Sequence, residues 1–232
     1  MCLLILFVLP SVRASGQTER NHEMLAYGTL GHNYAEGMYG ELAAIGTYHY
    51  GDDLALRGGL ECSTAGRLEA MTGWEAGMTV GECRLWFVTY CQWRRFALWK
   101  TNEFCSRIGL GLTRNGWRVQ MGLARRTMTA TMVNWLSHNT DFLSEPFNFM
   151  YEVCHTWSFG KDDEWMLSAR VSDFDDFVID RAYQPLFSVM GRWKVWQHTE
   201  LVGRVIVHPT GMLSLSANYY EFMMNIGVNM VW

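Results

Sequence analysis

Residues 107–124 read RIGLGLTRNGWRVQMGLA, two alternating runs on either side of Asn115-Gly116. An Asn-Gly pair between such runs is the strongest short-range signal for a β-hairpin, because both central positions of a type I′ turn need positive φ. Successive side chains of a strand point to opposite faces. One face of this hairpin therefore takes Ile108, Leu110, Leu112, Trp117, Val119, Met121 and Leu123, and the other takes Arg107, Gly109, Gly111, Arg118, Gln120, Gly122 and Ala124. A fold that accepts it must give the first set an apolar surround and the arginines a polar one.

The same split recurs along the chain. In CRLWFVTYCQWR, Leu85, Phe87, Thr89, Cys91 and Trp93 oppose Arg84, Trp86, Val88, Tyr90, Gln92 and Arg94. Trp165, Leu167, Ala169 and Val171 oppose Met166, Ser168, Arg170 and Ser172; Phe187, Val189, Gly191, Trp193 and Val195 oppose Ser188, Met190, Arg192 and Lys194. Leu201, Gly203, Val205 and Val207 oppose Arg204. The last run sets Phe222, Met224, Ile226, Val228, Met230 and Trp232 against Met223, Asn225, Gly227 and Asn229. No helical period of useful length competes. Turn residues at 51–53, 63–66, 160–163 and 197–198 separate the runs.

Twelve strands follow, near 24–31, 41–50, 54–62, 67–77, 83–94, 103–113, 116–126, 147–157, 164–172, 186–196, 200–208 and 222–232, with ten as the alternative count. Segments 31–40, 127–146, 172–185 and 208–221 read as longer loops. No linker or repeat divides the 232 residues, so they read as one domain.

Alternation alone suits a soluble sandwich as well as a membrane barrel. Three features favour lipid against the apolar face. The runs are about 9–11 residues, the length a tilted strand needs to cross hydrocarbon. Their apolar face carries essentially no charge, and an Arg or Lys there costs about 2–4 kcal/mol at mid-membrane. Trp93, Trp117, Trp157, Trp165, Trp196, Tyr219, Tyr220 and Trp232 lie near run ends, where an interfacial girdle belongs. Glycines on the polar face suit a crowded lumen.

The N-terminus, MCLLILFVLPSVRASGQ, has a short apolar core from Leu3 to Val12 and small residues around Val12-Arg13-Ala14. It reads as a secretory signal over 1–14, followed by a short periplasmic segment over 15–23 and the barrel over 24–232. Cys62, Cys83, Cys91, Cys105 and Cys154 remain after cleavage. Their odd number argues against a complete disulfide framework, and no Cys/His spacing suggests zinc. They read as small apolar strand residues.

The signal-like residues, the alternating runs and the final FMMNIGVNMVW, ending on Trp232, together resemble the outer-membrane β-barrel proteins of Gram-negative bacteria. The resemblance implies an all-β, antiparallel up-and-down transmembrane barrel in the cell outer membrane, termini on the periplasmic side and longer loops outside. It also implies partners: outer-membrane lipid, the barrel-assembly machinery and periplasmic chaperones. In that class the last strand is the assembly signal, here Val228, Met230 and Trp232. The resemblance is to a class and names no activity; the five cysteines depart from its usual pattern.

On this reading Arg57, Arg84, Arg94, Arg107, Arg118, Arg170, Arg192, Lys194 and Arg204 line the lumen, with Glu61, Glu69, Glu75 and Glu152 against them. Such charges either pair and fill a narrow barrel or wall a pore for small anionic solutes; the sequence leaves both open. The expected function is a non-enzymatic barrel, porin-like or structural. Adhesion through loops 127–146 and 172–185 is one alternative. An outer-membrane lipid hydrolase is another, for which His32 and Ser137-His138 are the candidate loop residues for acid–base chemistry; no catalytic pattern joins them. Asp173, Asp175, Asp176 and Asp180 could offer oxygen ligands to Ca²⁺, but no turn glycine supports a binding loop and Phe174 and Phe177 interrupt it; the loop reads as solvated, or as packed over the barrel mouth by those two aromatics. No metal or cofactor is assigned. RWKVWQHTE interleaves basic and aromatic residues, yet period two separates Arg192 and Lys194 from Trp193, and the net charge of −4 offers nucleic acid no attraction.

Overall fold

The computed structural model describes residues 22–33, 37–51, 53–97, 100–134, 137–174, 185–209 and 219–232. Twelve strands close into one antiparallel barrel in which every strand neighbours the next in sequence and the last returns to the first. They are β1 (Glu23–Asn33), β2 (Gly37–Tyr50), β3 (Leu54–Ser63), β4 (Arg67–Val80), β5 (Cys83–Phe96) and β6 (Thr101–Arg114), then β7 (Trp117–Asn134), β8 (Ser137–Phe159), β9 (Trp165–Ser172), β10 (Leu186–Trp196), β11 (Thr199–Pro209) and β12 (Tyr219–Val231). A 3₁₀ turn at Lys161–Asp163 joins β8 to β9. The Asn115-Gly116 turn has positive φ at both residues, 48° and 79°, as a type I′ hairpin demands.

The connections at 51–53, 81–82, 115–116, 160–164 and 197–198 share one end of the barrel with the chain termini; the other six lie at the far end. Several strands outrun the sequence expectation there. The segments 31–40 and 127–146 are not loops: β1 runs to Asn33, β2 starts at Gly37, and β7 and β8 pair all the way to Asn134↔Ser137. The β-branched residues Thr127, Thr129, Thr131 and Val133 suit the continued ladder, although threonine here takes the parity that is apolar from Trp117 to Leu123. β1 also takes in Glu23, β11 extends to Pro209, and β12 starts at Tyr219. The expected signal, 1–14, and residues 15–21 of the expected periplasmic segment lie outside the described residues, as do Asp175, Asp176 and Asp180.

Closure rests on eleven residue pairs between β1 and β12, from Glu23↔Val231 to Asn33↔Glu221. His22 and Trp232 extend this seam by exchanging backbone hydrogen bonds of 2.7 and 3.0 Å. Hydrocarbon cannot hydrogen-bond a free strand edge, so a sheet that spans a membrane must close in this way.

The outward positions form the apolar face. Leu30, Leu42, Leu60, Leu110, Met121, Phe187, Val189 and Ile226 are all exposed. On β12 this face runs from Phe222 to Trp232, about 33 Å along the strand at 3.3 Å per residue and about 25 Å of height at a usual barrel tilt. Trp117, Trp157, Trp165, Trp193, Trp196 and Trp232 are exposed around the terminal end, and Trp165 and Trp193 stack with ring centroids 4.9 Å apart. At the far side of the band, Arg95 and Arg125 stand exposed on the same outer face. The apolar band therefore lies between an aromatic girdle and a charged margin, the outer surface of a membrane barrel.

Ile226 sits midway along β12 and is 73 % exposed. Ile226→Arg should lower folding stability in bilayers by about 2–4 kcal/mol, and Met230→Arg, near the interface, by about 0–1 kcal/mol; urea titrations of folded against unfolded gel bands in lipid vesicles measure both. Equal losses at the two positions would contradict the placement of the band. The inner face is tested by its glycines. A Cβ on Gly122 would lie 2.2 Å from the Ile108 carbonyl oxygen, whereas one on Gly203, facing out, meets nothing within 4 Å. Gly122→Ala should cost about 1–3 kcal/mol as an overpacked substitution, and Gly203→Ala little, in the same titration.

Candidate functional site

Turning the apolar face outward puts the other face into the lumen, and its charges sort into two groups. The first spans β2 to β7 toward the far end. Arg67, the first residue of β4, pairs with Glu41 on β2, with Glu69 at 2.9 Å and with Glu61 on β3 at 4.0 Å. Glu69 also pairs with Arg94 at 2.8 Å; Arg94 and Arg126 reach Glu103 at 3.8 and 3.9 Å. Register explains the order. Glu69, Arg94 and Glu103 lie directly opposite one another on β4, β5 and β6. Glu61 and Glu69 also oppose each other, a like-charge contact that would be destabilising without Arg67 between them. In this group four glutamates face three arginines, and Glu41, Glu61, Glu69 and Glu103 are all buried.

The second group lies toward the terminal end. Arg118 bonds Glu75 and Glu152, each at 3.1 Å; Glu152 also holds Arg170 at 3.0 Å, and Glu75 lies 3.8 Å from Arg84. Arg192 lies 3.6 Å from Glu200. A cavity of about 380 Å³ opens among these side chains. It is lined by Arg57, Arg84, Arg107, Arg118, Arg170, Arg192 and Arg204, against Glu23, Glu75 and Glu152. Seven guanidinium groups to three carboxylates leave a strong positive excess, and low-dielectric walls concentrate its field.

Apolar side chains narrow the lumen between the groups. Tyr27, Ala43, Ile45, Met71, Trp86, Val88 and Tyr90 form a buried cluster on the β1–β5 wall. The inward glycines make room for it: a Cβ on Gly73 would lie 2.1 Å from the Tyr90 ring, and one on Gly111 2.2 Å from the Trp86 ring. These rings then carry cations. Arg118 lies 3.8 Å over Trp86, and Arg107 4.3 Å over Tyr90, within cation–π range. From the opposite wall Phe174, just after β9, turns inward and is buried. Its ring lies 4.3 Å from Arg107 and 5.1 Å from Arg170.

Of the residues singled out in the sequence, Arg57, Arg84, Arg107, Arg118, Glu152, Arg170, Arg192 and Arg204 line this one cavity. Arg94 belongs instead to the acid-rich group, and Lys194 is exposed beside the 197–198 turn. Glu41, Arg67, Glu103 and Arg126 were missed, although period two places them on the same inner face. Phe174 falls in a segment expected as a loop, although it continues the inner parity of Arg170 and Ser172. Val228, Met230 and Trp232 are exposed on the outer face of β12.

His32 and His138 are strand residues, not loop residues, because β1 and β8 extend past their apolar runs. They stand at least five strand positions apart around the barrel, so the fold does not bring the two histidines together. Among the described residues no group of His, Cys, Asp or Glu has the arrangement to hold a metal ion, and all five cysteines are unpaired thiols.

No family model matches the chain, and no curated protein sequence does. Solved structures do match. The KdgM porin in complex with disordered oligogalacturonate aligns with a TM-score of 0.54 over 90 % of this chain and 99 % of that one, at 6 % identity. The KdgM porin by itself gives 0.53 with the same coverage and identity. The translocator domain of the autotransporter NalP from Neisseria meningitidis gives 0.53 over 93 % and 90 %, at 11 % identity. At such identities the likeness is one of fold: the chain has the closed barrel of bacterial outer-membrane proteins.

The acid-rich group makes a further prediction. Glu69 is 1 % exposed and contacts two guanidinium groups. Glu69→Ala removes one partner each from Arg67 and Arg94, which keep Glu41 and Glu103, and should cost about 1.5–3 kcal/mol, read as a lower urea midpoint in vesicles. A midpoint within about 0.5 kcal/mol of wild type would mean that the group is hydrated rather than buried.

Proposed function

We propose that this protein is a porin-like outer-membrane barrel, non-enzymatic, whose narrow lumen passes small anionic solutes. The observation that carries the reading is the cavity near the terminal end, with seven arginines against three glutamates. Charged rings of this kind set the selectivity of a pore. The excess of arginine over glutamate in its lining makes the cavity attractive to anions, and the cavity has room for a small one.

The acid-rich group fits the same reading in a different role. Its charges are mutually paired, so it braces the β2–β7 wall and leaves the opposite side of the lumen as the path. The fold neighbours support a porin-like barrel, and one of them is described with a bound oligogalacturonate, whose chemistry is that of a carboxylate-bearing sugar chain. Outer-membrane lipid around the apolar band, with the assembly machinery and periplasmic chaperones acting on the β12 residues Val228, Met230 and Trp232, completes the proposed set of partners.

Planar bilayers test this directly. The refolded protein should give stepwise conductance, and under a KCl gradient the reversal potential should show chloride preferred to potassium. The double variant Arg192→Gln, Arg204→Gln should move that preference toward unity while the steps persist. A folded, heat-modifiable protein that inserts without conductance would mean that the lumen is packed shut and the barrel structural.

A further inference from the structure

The segment after β9 does not leave the barrel at once. Ser172, Asp173 and Phe174 are all buried, Asp173 fully so. Asp173 Oδ1 accepts a hydrogen bond from the Tyr151 backbone N–H at 2.8 Å, and the Asp173 N–H donates to the Tyr151 carbonyl at 3.3 Å. This clasp to β8 aims the next residue inward. The Phe174 carbonyl then accepts from Arg170 Nη2 at 2.6 Å and from Ser172 Oγ at 2.9 Å. Its ring packs with Cys105, Ala124 and Met150 and lies against the guanidinium groups of both Arg107 and Arg170.

Two of the cavity's arginines thus hold the aromatic side chain that covers them. We infer that Arg107 and Arg170 form an anion-binding subsite closed by Phe174, and that a solute carboxylate or phosphate entering the cavity displaces the ring. The inference rests on the anion-passing reading above and names the subsite within it. The chemistry favours exchange. A bidentate, charge-assisted bond between guanidinium and oxyanion is stronger than a neutral contact. Arg170 Nη2 would trade a peptide carbonyl for a charged oxygen, and Arg107 would trade a ring face for one. Arg170 keeps its Glu152 partner through Nε throughout, so the arm that reaches the anion stays in place. Asp173 keeps the backbone anchored while the ring moves. The subsite therefore stays closed until a group of the correct charge arrives, which couples admission to recognition.

Two measurements test this, with D-glucuronate as the carboxylate probe and inorganic phosphate in parallel. In planar bilayers, millimolar probe on the wild type should increase the conductance or the open fraction. Phe174→Ala should show the larger conductance without probe and no further response. Equal conductance and equal probe response in the two proteins would overturn the inference.

The second measurement does not need a channel. With 4-fluorophenylalanine placed at position 174, the ¹⁹F resonance of the folded barrel in detergent should shift from a buried to a solvent-like position as probe is added. With Arg107→Gln and Arg170→Gln together it should be solvent-like from the start. A resonance that ignores probe up to tens of millimolar rejects the subsite even if the barrel conducts. A probe-dependent shift in a barrel that gives no conductance keeps the subsite and rejects the pore. Response to phosphate but not glucuronate, or the reverse, identifies the oxyanion and supports the inference.

Discussion

The seam between β1 and β12 is the constraint on which the rest of the barrel depends. Each strand inside hydrocarbon carries backbone groups that lipid cannot satisfy, at several kcal/mol for every one left free. Eleven residue pairs and the His22–Trp232 clasp remove the last open edge. Once the sheet is closed, alternation is no longer a preference but a rule: every second side chain meets lipid and the rest meet one another across the lumen. The same closure fixes register around the wall, and register makes Glu69, Arg94 and Glu103 neighbours in a row. A slip of one residue at any hairpin would turn arginines toward the acyl chains.

That rule forces a second problem onto the inside. Placing the apolar side chains outward leaves the inner face to carry arginines, glutamates and amides in a space too narrow for each to hold a full water shell. The barrel resolves this differently at its two ends. Toward the far end, four buried carboxylates interlock with three guanidinium groups, which is tolerable because each charge has a close opposite. Toward the terminal end arginine is in excess, and an open cavity takes the place of packing. Aromatic rings lying over inward glycines join the two regimes, since Trp86 and Tyr90 are at once packed against backbone and in contact with Arg118 and Arg107.

Much of this was legible from the chain because period two is a geometric signal rather than a statistical one. Asn115-Gly116 defined its hairpin to the residue, and parity alone put Arg107 and Arg118 on one face with Gly109 and Gly122. What escaped reading escaped for physical reasons. Past residue 126 the pattern changes while the ladder continues: threonines take over the parity of the apolar face in β7, and residues 137–141 of β8 are polar without alternation. That hid the strand character of 127–134 and 137–146, and with it that of His138. Glu41 and Glu103 opened their predicted strands and were left out of the lumen although parity included them. The pairing of charges across strands was also beyond reach, because it depends on which strands adjoin and in what register.

Phe174 shows where pattern-reading weakens. It shares the inner parity of Arg170 and Ser172, but it lies past the end of β9 and its aspartate-rich surroundings suggest a solvated loop. It is inside because Asp173 is tied to Tyr151 and because two arginines face the space its ring fills. The outer face is set by lipid and the charges of the far end by their partners on neighbouring strands, and both follow from register. Phe174 is held by neither: its place depends on one backbone clasp and on the two arginines of the wall that its ring meets.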